Sequence, residues 1–417
     1  MPRALDAALP ETLSEVQREI ACRVCHGDWK RCKLVVCPYL GKVRRWFEEQ
    51  TPLQSAELFG ASPPTAFVGS WGYPQVFAGP MVPPTEEDTS LMDAPETWLG
   101  LSVWDILRFR LSLVRGKASR RVQSAVEPDR LLRTIQEGAM AGRPVDTELR
   151  LEKRPYLEGP FMARAAPSGP SAVIRDLKLT ENPAVPRRVD YVAEDTDLLA
   201  ADGVRDLYSH GIVQSAITRV FSVGLMGLGQ NRKLVPTEWS ITAVDDILGK
   251  QLREDIRDEP WINEHRVFTH RALGNAVTVL LMPSAWMFEG LEAWNVEDGT
   301  MTPAADHEFH TGRKTYPEEL AGGYHAARLP VLEYLAREHR QAGAVVFLEV
   351  FHDWIPLGVW RFREIARAAL GKPPLHFSSL AESLDHLRTV LTLPLENWLR
   401  RSKVLAYVRQ QRRVTDF

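Results

Sequence analysis

Cys22, Cys25, Cys32 and Cys37 are the four cysteines of a 417-residue chain, and all of them fall in one short stretch ending Cys37-Pro38. Thiolates at this density suit a tetrahedral metal, because zinc accepts four soft ligands and a short loop can wrap it. Two disulfides crowded into the same loop would do little for a chain this long. The spacing therefore predicts one structural zinc, with His26 surplus to a complete set of four thiolates. Such a site has no open position at which to activate water, so it pins local backbone and does not react.

Other residues offer different chemistry. Asp245 and Asp246 are candidate catalytic or metal-binding carboxylates, set against a plainer role as a helical acidic pair near a positive helix end. His265 and His270 are candidate catalytic partners for them, and His307-Glu308-Phe309-His310 holds two potential ligands of a second divalent metal. The glycine-rich run Ser222 to Gly229 leads into Arg232 and Lys233. It lacks the spacing and trailing Lys-Ser/Thr of a P-loop, so a helix end followed by a turn is the preferred account. Arg313 and Lys314, with Tyr316, Tyr324 and Arg328, could make a phosphate- or base-stacking surface, since cations bind phosphate and aromatic faces hold bases. No Ser-His-Asp elbow, Walker loop or HExxH occurs in the sequence. At the C-terminus, Gln411, Val414 and Phe417 are spaced three apart, so one helical turn would place them on one side. That is the arrangement of a peptide docking on a DNA sliding clamp, an amide anchor followed by apolar plugs.

The elements positioning these groups alternate between helix and strand patterns. Helices are expected over Pro10 to Val24, Lys42 to Phe47, Glu96 towards Leu113, Val126 to Gly142, Ala200 to Tyr208, from Ser215, up to about Arg257, and Leu320 to Arg340. Phe67-Val68 and Val76 to Ala78 read as a hairpin in a Gly/Pro-rich block from Gly60 to Pro84, whose glycines permit close approach of a neighbour or a ligand. Val267 to His270 and Val277 to Met282 read as a second hairpin around Gly274-Asn275. Ala344 to Val350 is an apolar strand on which Glu349 calls for a partner such as Arg361 or Arg363. Met287 to Trp294 reads as a helix or an edge strand. Composition, with 44% hydrophobic and 25% charged residues, is that of a soluble globular protein. A net charge of −3 excludes strong whole-molecule attraction to nucleic acid and leaves local patches open. No signal peptide or membrane span is expected, and a cytoplasmic location follows from that and from the cysteine usage.

Several long blocks, taken together, resemble the archaeal Nre family of DNA-repair proteins over nearly the whole chain. They are the cysteine knuckle, Ser62 to Pro84, Asp88 to Asp93, Arg232 to Asp246, Gly322 to Arg328, and Pro356 to Glu364. The resemblance implies an N-terminal domain with the zinc knuckle, a smaller C-terminal domain, and a clamp-interacting motif at the extreme C-terminus. The expected fold is α+β, a mixed sheet and helices with the four-cysteine knuckle in front and a smaller C-terminal α/β domain. The expected organisation is residues 1–50 for the knuckle segment, 51–296 for the rest of the N-terminal domain, 297–408 for the C-terminal domain, and 409–417 for the tail. The expected function is that of a DNA-damage-response factor recruited through a sliding clamp. The alternative is a nucleotide-binding or nucleotide-processing enzyme built on the glycine blocks and the Asp/His/Arg cluster.

Overall fold

The computed structural model describes residues 55–158, 167–352, 354 and 357–410. The four cysteines, the two helices expected before residue 50, and Gln411, Val414 and Phe417 lie outside the described residues.

Strand formation in the first half follows the alternation of apolar and polar side chains. Strands β1 (Glu57–Ser62), β2 (Phe67–Val68), β3 (Gln75–Gly79) and β4 (Met81–Val82) come first. Helix α1 (Val103–Ser112), β5 (Val114–Arg121), helix α2 (Arg130–Met140), β6 (Val145–Leu151) and β7 (Ser171–Leu179) follow. They build a seven-stranded mixed sheet in the order β1-β6-β7-β5-β3-β2, with β4 beside β5. The expected hairpin is β2 and β3, paired antiparallel with Phe67 opposite Gly79. The helix expected from Glu96 is broken in two: a short 3₁₀ turn at Pro95–Gly100 precedes α1. Gly100 weakens the first segment, and Ser102 restarts the helix by accepting the Asp105 N–H at 3.1 Å.

A helical layer comes next: α3 (Arg187–Glu194), α4 (Ala200–Ser209), α5 (Gln214–Ser222) and the long α6 (Thr237–Asp255). The run after α5 is a helix end and turn, with Gly224 and Gly227 at positive φ, as the sequence predicts. Asp245 stands two turns inside α6, not at its N-terminus, so the helix-end reading of the acidic pair is corrected.

The second sheet contains β8 (His265–Ala272), β9 (Asn275–Met282), β10 (Met287–Trp294) and β11 (Ala304–Glu308). After helix α7 (Gly322–Glu338) come β12 (Gly343–Val350), helix α8 (Trp360–Leu370) and β13 (Leu375–Phe377). Its six strands run β11-β10-β12-β9-β8-β13, parallel between β10 and β12. The β8–β9 turn places Leu273 and Gly274 both at positive φ, the backbone a two-residue hairpin of this twist requires. Residues 287–294 form an interior strand, neither helix nor edge, because both of its neighbours are occupied. The expected boundary at residue 297 falls between β10 and β11, which are hydrogen-bonded neighbours in this one sheet.

Helices cover both faces of the second sheet. Val346 and Leu348 of β12 pack with α7 and α8, whereas Val345 and Phe347 face α9 (Leu380–Val390), α10 (Leu395–Leu399) and α11 (Lys403–Gln410). Covered on both sides, β12 is buried along its whole length, which is why it reads as a continuous apolar run. Burying a side chain such as Phe347 stabilises the fold by roughly 1.5–3 kcal/mol.

Two buried glutamates tie helices to this sheet. Glu289 on β10 accepts the Lys403 N–H at 2.8 Å and the Ser402 hydroxyl, capping α11. Glu349 is not partnered by Arg361 or Arg363. It accepts the Thr392 and Leu393 N–H groups, each at 2.8 Å, and burial pushes its carboxyl up to about 7. Two arginines were the expected partners because a charge invites a charge, yet backbone donors in the α9–α10 loop do the same task without importing a second ion.

Candidate functional site

A cavity of about 1390 Å³ opens where α6, the start of α7, the 313–320 loop and β2 converge. Its first wall is α6. Glu238, Thr242, Asp246 and Lys250 recur every four residues and form one stripe facing the space, while Val244, Asp245 and Leu248 turn inward. Thr237, at the head of this helix, accepts the Val68 N–H at 2.9 Å and so fixes β2 against it.

The second wall is the start of α7. Ala321 has φ 49° and ψ −124°, and Gly322 and Gly323 follow it with no side-chain cap. A side chain at Gly322 would put its Cβ 3.1 Å from the Thr242 hydroxyl, so the two helices meet closely there and a larger residue would make Thr242 give way. Tyr324, His325 and Arg328 then line the cavity. His325 Nδ1 lies 3.5 Å from an Asp246 oxygen. Burial lowers the imidazole's pKa against the pull of Asp246, so at neutral pH the ring is uncharged and can accept a hydrogen bond.

The third wall carries Arg313, Lys314 and Tyr316. Arg313 is fully engaged: Nη2 meets Asp306 at 2.9 Å, and its other donors reach the His307 and Thr315 carbonyls at 3.2 and 2.9 Å. Arg328 Nε donates to Glu308 at 2.7 Å, and both side chains are only 3% exposed. Glu308 also accepts the Trp286 indole N–H at 2.7 Å.

Of the residues nominated by sequence, Asp246, Arg313, Lys314, Tyr316, Tyr324 and Arg328 meet in this cavity. Asp245 does not line it. It sits behind the wall, held by the Gln214 amide and by Arg363 Nη1 at 2.9 Å, with burial pushing its carboxyl up to about 6. His265 is buried on β8 opposite Phe377 of β13, and His270 Nδ1 stands 2.8 Å from Lys372 Nζ; neither lines the cavity. Arg232 donates to the Gly227 and Asp195 carbonyls at 3.0 and 2.9 Å and so clamps the glycine turn, and Lys233 is likewise outside the lining. Among the described residues, His307 and His310 included, no three His, Cys, Asp or Glu side chains are grouped to hold a metal.

Lys250, Arg253, His325, Trp239 and Arg361 line the cavity without having been nominated. For Lys250 and His325 the signal was present: four-residue spacing from Asp246 reaches Lys250, and His325 adjoins Tyr324. Arg361 comes from the start of α8, and nothing local ties it to the others. In total, eight Arg or Lys and five Asp or Glu side chains line the space. The lining is richer in cations than in carboxylates, although Arg313 and Arg253 also pair with Asp306 and Glu254 behind the wall, and in a protein that is anionic overall this suits an anion of nucleotide size.

Comparison with known proteins agrees with the sequence blocks. The family described as "Archaeal Nre, N-terminal" matches residues 31–298, and "Archaeal Nre, C-terminal" matches residues 308–417. A protein named DNA repair protein NreB from Archaeoglobus fulgidus is 34% identical over 401 residues, covering 94% of this chain and 98% of its own. Two proteins named DNA repair protein NreA are comparable. That of Haloferax volcanii is 36% identical over 374 residues, with 86% and 89% covered, and that of Archaeoglobus fulgidus 35% over 384, with 91% and 94% covered. No solved structure matches the chain. Among the described residues no helix is long and apolar enough to cross a membrane.

Proposed function

The chain belongs to the archaeal Nre family of DNA repair proteins, and from that premise we propose that its cavity binds the phosphate-bearing part of a nucleotide, free or within DNA. The excess of cations lining a cavity of this volume carries the reading. Lys314 supplies charge at the wall, Lys250 and Arg253 do so while pairing with Asp246 and Glu254 at 2.6 and 2.5 Å, and the glycine start of α7 lets backbone come close. Uncharged His325 beside Asp246 offers the bound group a hydrogen-bond acceptor. Titrating the protein with ATP and with dAMP by calorimetry tests this. Saturable binding is expected, and K250E combined with K314E should weaken it at least about tenfold, since a charge-assisted hydrogen bond contributes about 1.5–3 kcal/mol. No binding of either nucleotide at millimolar concentration overturns it.

A second reading concerns recruitment. Gln411, Val414 and Phe417 follow directly on α11, whose last residue, Gln410, is exposed at the protein surface. We propose that this tail docks on a DNA sliding clamp. Protein lacking residues 411–417 should lose clamp capture in a pull-down while keeping its nucleotide affinity; undiminished capture removes the tail from the reading. Cys22, Cys25, Cys32 and Cys37 remain the proposed ligands of one structural zinc.

A further inference from the structure

The β2–β3 hairpin carries more exposed aromatic surface than any packing role requires. Trp71 is 89% exposed, Tyr73 49% and Phe77 37%, and Trp239 of α6 beside them is 46% exposed. Such rings, gathered in one place, mark a contact surface. Tyr73 and Trp239 already lie ring against ring, centroids 5.2 Å apart.

Cations are interleaved with these rings. Alternation along β5 sends Arg115, Lys117, Ser119 and Arg121 to one face, and the pairing register adds Gln75 opposite Arg121 and Phe77 opposite Ser119 on that same face. Arg115 lies 5.4 Å from the Phe67 ring centre and Lys117 5.2 Å from that of Phe77. Buried Arg115 Nε has no hydrogen-bond partner among the described residues. Among the described residues one carboxylate pairs directly with this set, Glu158 with Lys117. Phe67, Arg115 and Trp239 belong both to this set and to the lining of the cavity, so the two adjoin.

We propose that the β2–β3 hairpin and the outer face of β5 form a platform for single-stranded DNA that leads one strand into the cavity. This rests on the nucleotide reading of the cavity and names its substrate: a nucleotide within a strand. Exposed rings stack on unpaired bases and the cations follow the phosphates, a pairing of features suited to a single strand; a duplex hides its base faces. A protein partner of matching shape would have to be acidic and ring-binding at once, whereas a single strand meets both demands, the first with its phosphates and the second with its bases.

Fluorescence anisotropy with a labelled 20-mer oligothymidylate, the matching duplex and the matching oligouridylate tests the platform in the full chain. Binding to the DNA single strand at least tenfold tighter than to the duplex is expected. The variant Trp71→Ala with Arg121→Glu, both outside the cavity lining, should lose roughly tenfold to hundredfold in single-strand affinity and show a shallower salt dependence. Its dAMP affinity should stay at the wild-type value. Unchanged single-strand affinity in that variant, or a preference for the duplex or for oligouridylate, overturns the platform. Loss of single-strand binding in a protein that never binds dAMP sustains the platform and removes the cavity reading instead, so the two fail separately.

Discussion

Replacing Arg363 with alanine is expected to destabilise the protein by about 3–5 kcal/mol, the range found when one partner of a buried ion pair is removed. Arg363 Nη1 reaches both oxygens of Asp245, at 2.9 and 3.2 Å, and the two side chains are 4% and 0% exposed. Without the guanidinium, Asp245 stays buried among α5, α6 and α8 with the Gln214 amide as its hydrogen-bond partner and the Arg367 charge farther off. The loss should depend on pH in a definite direction. Burial, the largest cause, already holds the folded-state carboxyl at about 6 against an ordinary 3.8, so the folded chain binds more protons than the unfolded one. Stability from this group is therefore complete below the unfolded value and declines as pH rises through about 6. Loss of Arg363 raises the folded value further, so the deficit should be smaller at pH 5 than at pH 8. Urea unfolding at both pH values measures it. Arg363→Met combined with Asp245→Leu should recover most of the stability, because a well-packed apolar pair carries no desolvation penalty. A deficit below about 1 kcal/mol at pH 8 would mean that the pair does not hold the helices together.

What the sequence made legible was local. The β8–β9 hairpin was readable because both its apolar strand runs and its turn lie within eighteen residues of chain. The Gly60 to Pro84 block announced close approach without naming the neighbour. A side chain at Gly60 would put its Cβ 2.0 Å from the Pro83 carbonyl, and one at Gly79 would lie 1.8 Å from that of Gly116, so at these two positions the close neighbour is backbone of the first sheet itself. Asp245 and Asp246 were treated as one pair, yet helix phase separates them. Val244 and Leu248 belong to the buried side of α6, which puts Asp245 inside with them and Asp246 100° round in the cavity. Interior strand β10 was obscured by its own carboxylates. Glu289 looks solvent-facing until Ser402 and Lys403, more than a hundred residues on, arrive to satisfy it. His265 and His270 were attractive because histidine titrates near neutrality, and that argument holds no information about which sheet edge they occupy.

Glu308→Ala should bring a loss of similar size, about 3–5 kcal/mol, for the same physical reason and with a different functional consequence. Its carboxylate is shared by the Arg328 guanidinium, the Trp286 indole and the Arg313 N–H, the last at 3.1 Å, so its removal unpairs a buried cation and orphans two further donors. Gly249 shows how tightly Arg328 is seated: a Cβ there would fall 2.4 Å from Arg328 Nη1. Glu308→Gln keeps an acceptor oxygen while removing the charge, and should be destabilised by about 1–3 kcal/mol, the penalty of weakening hydrogen bonds to a charged group. Because Arg328 and Glu308 both line the cavity, the two properties should move in opposite directions. Stability falls in Glu308→Gln, while affinity for ATP rises several-fold, because an anion entering the cavity meets an Arg328 charge that no carboxylate neutralises. Unfolding and calorimetric titration on the same preparation separate these effects. Reduced stability with unchanged or weaker ATP binding would leave the Arg328–Glu308 pair as a strut of the second sheet and exclude it from ligand recognition.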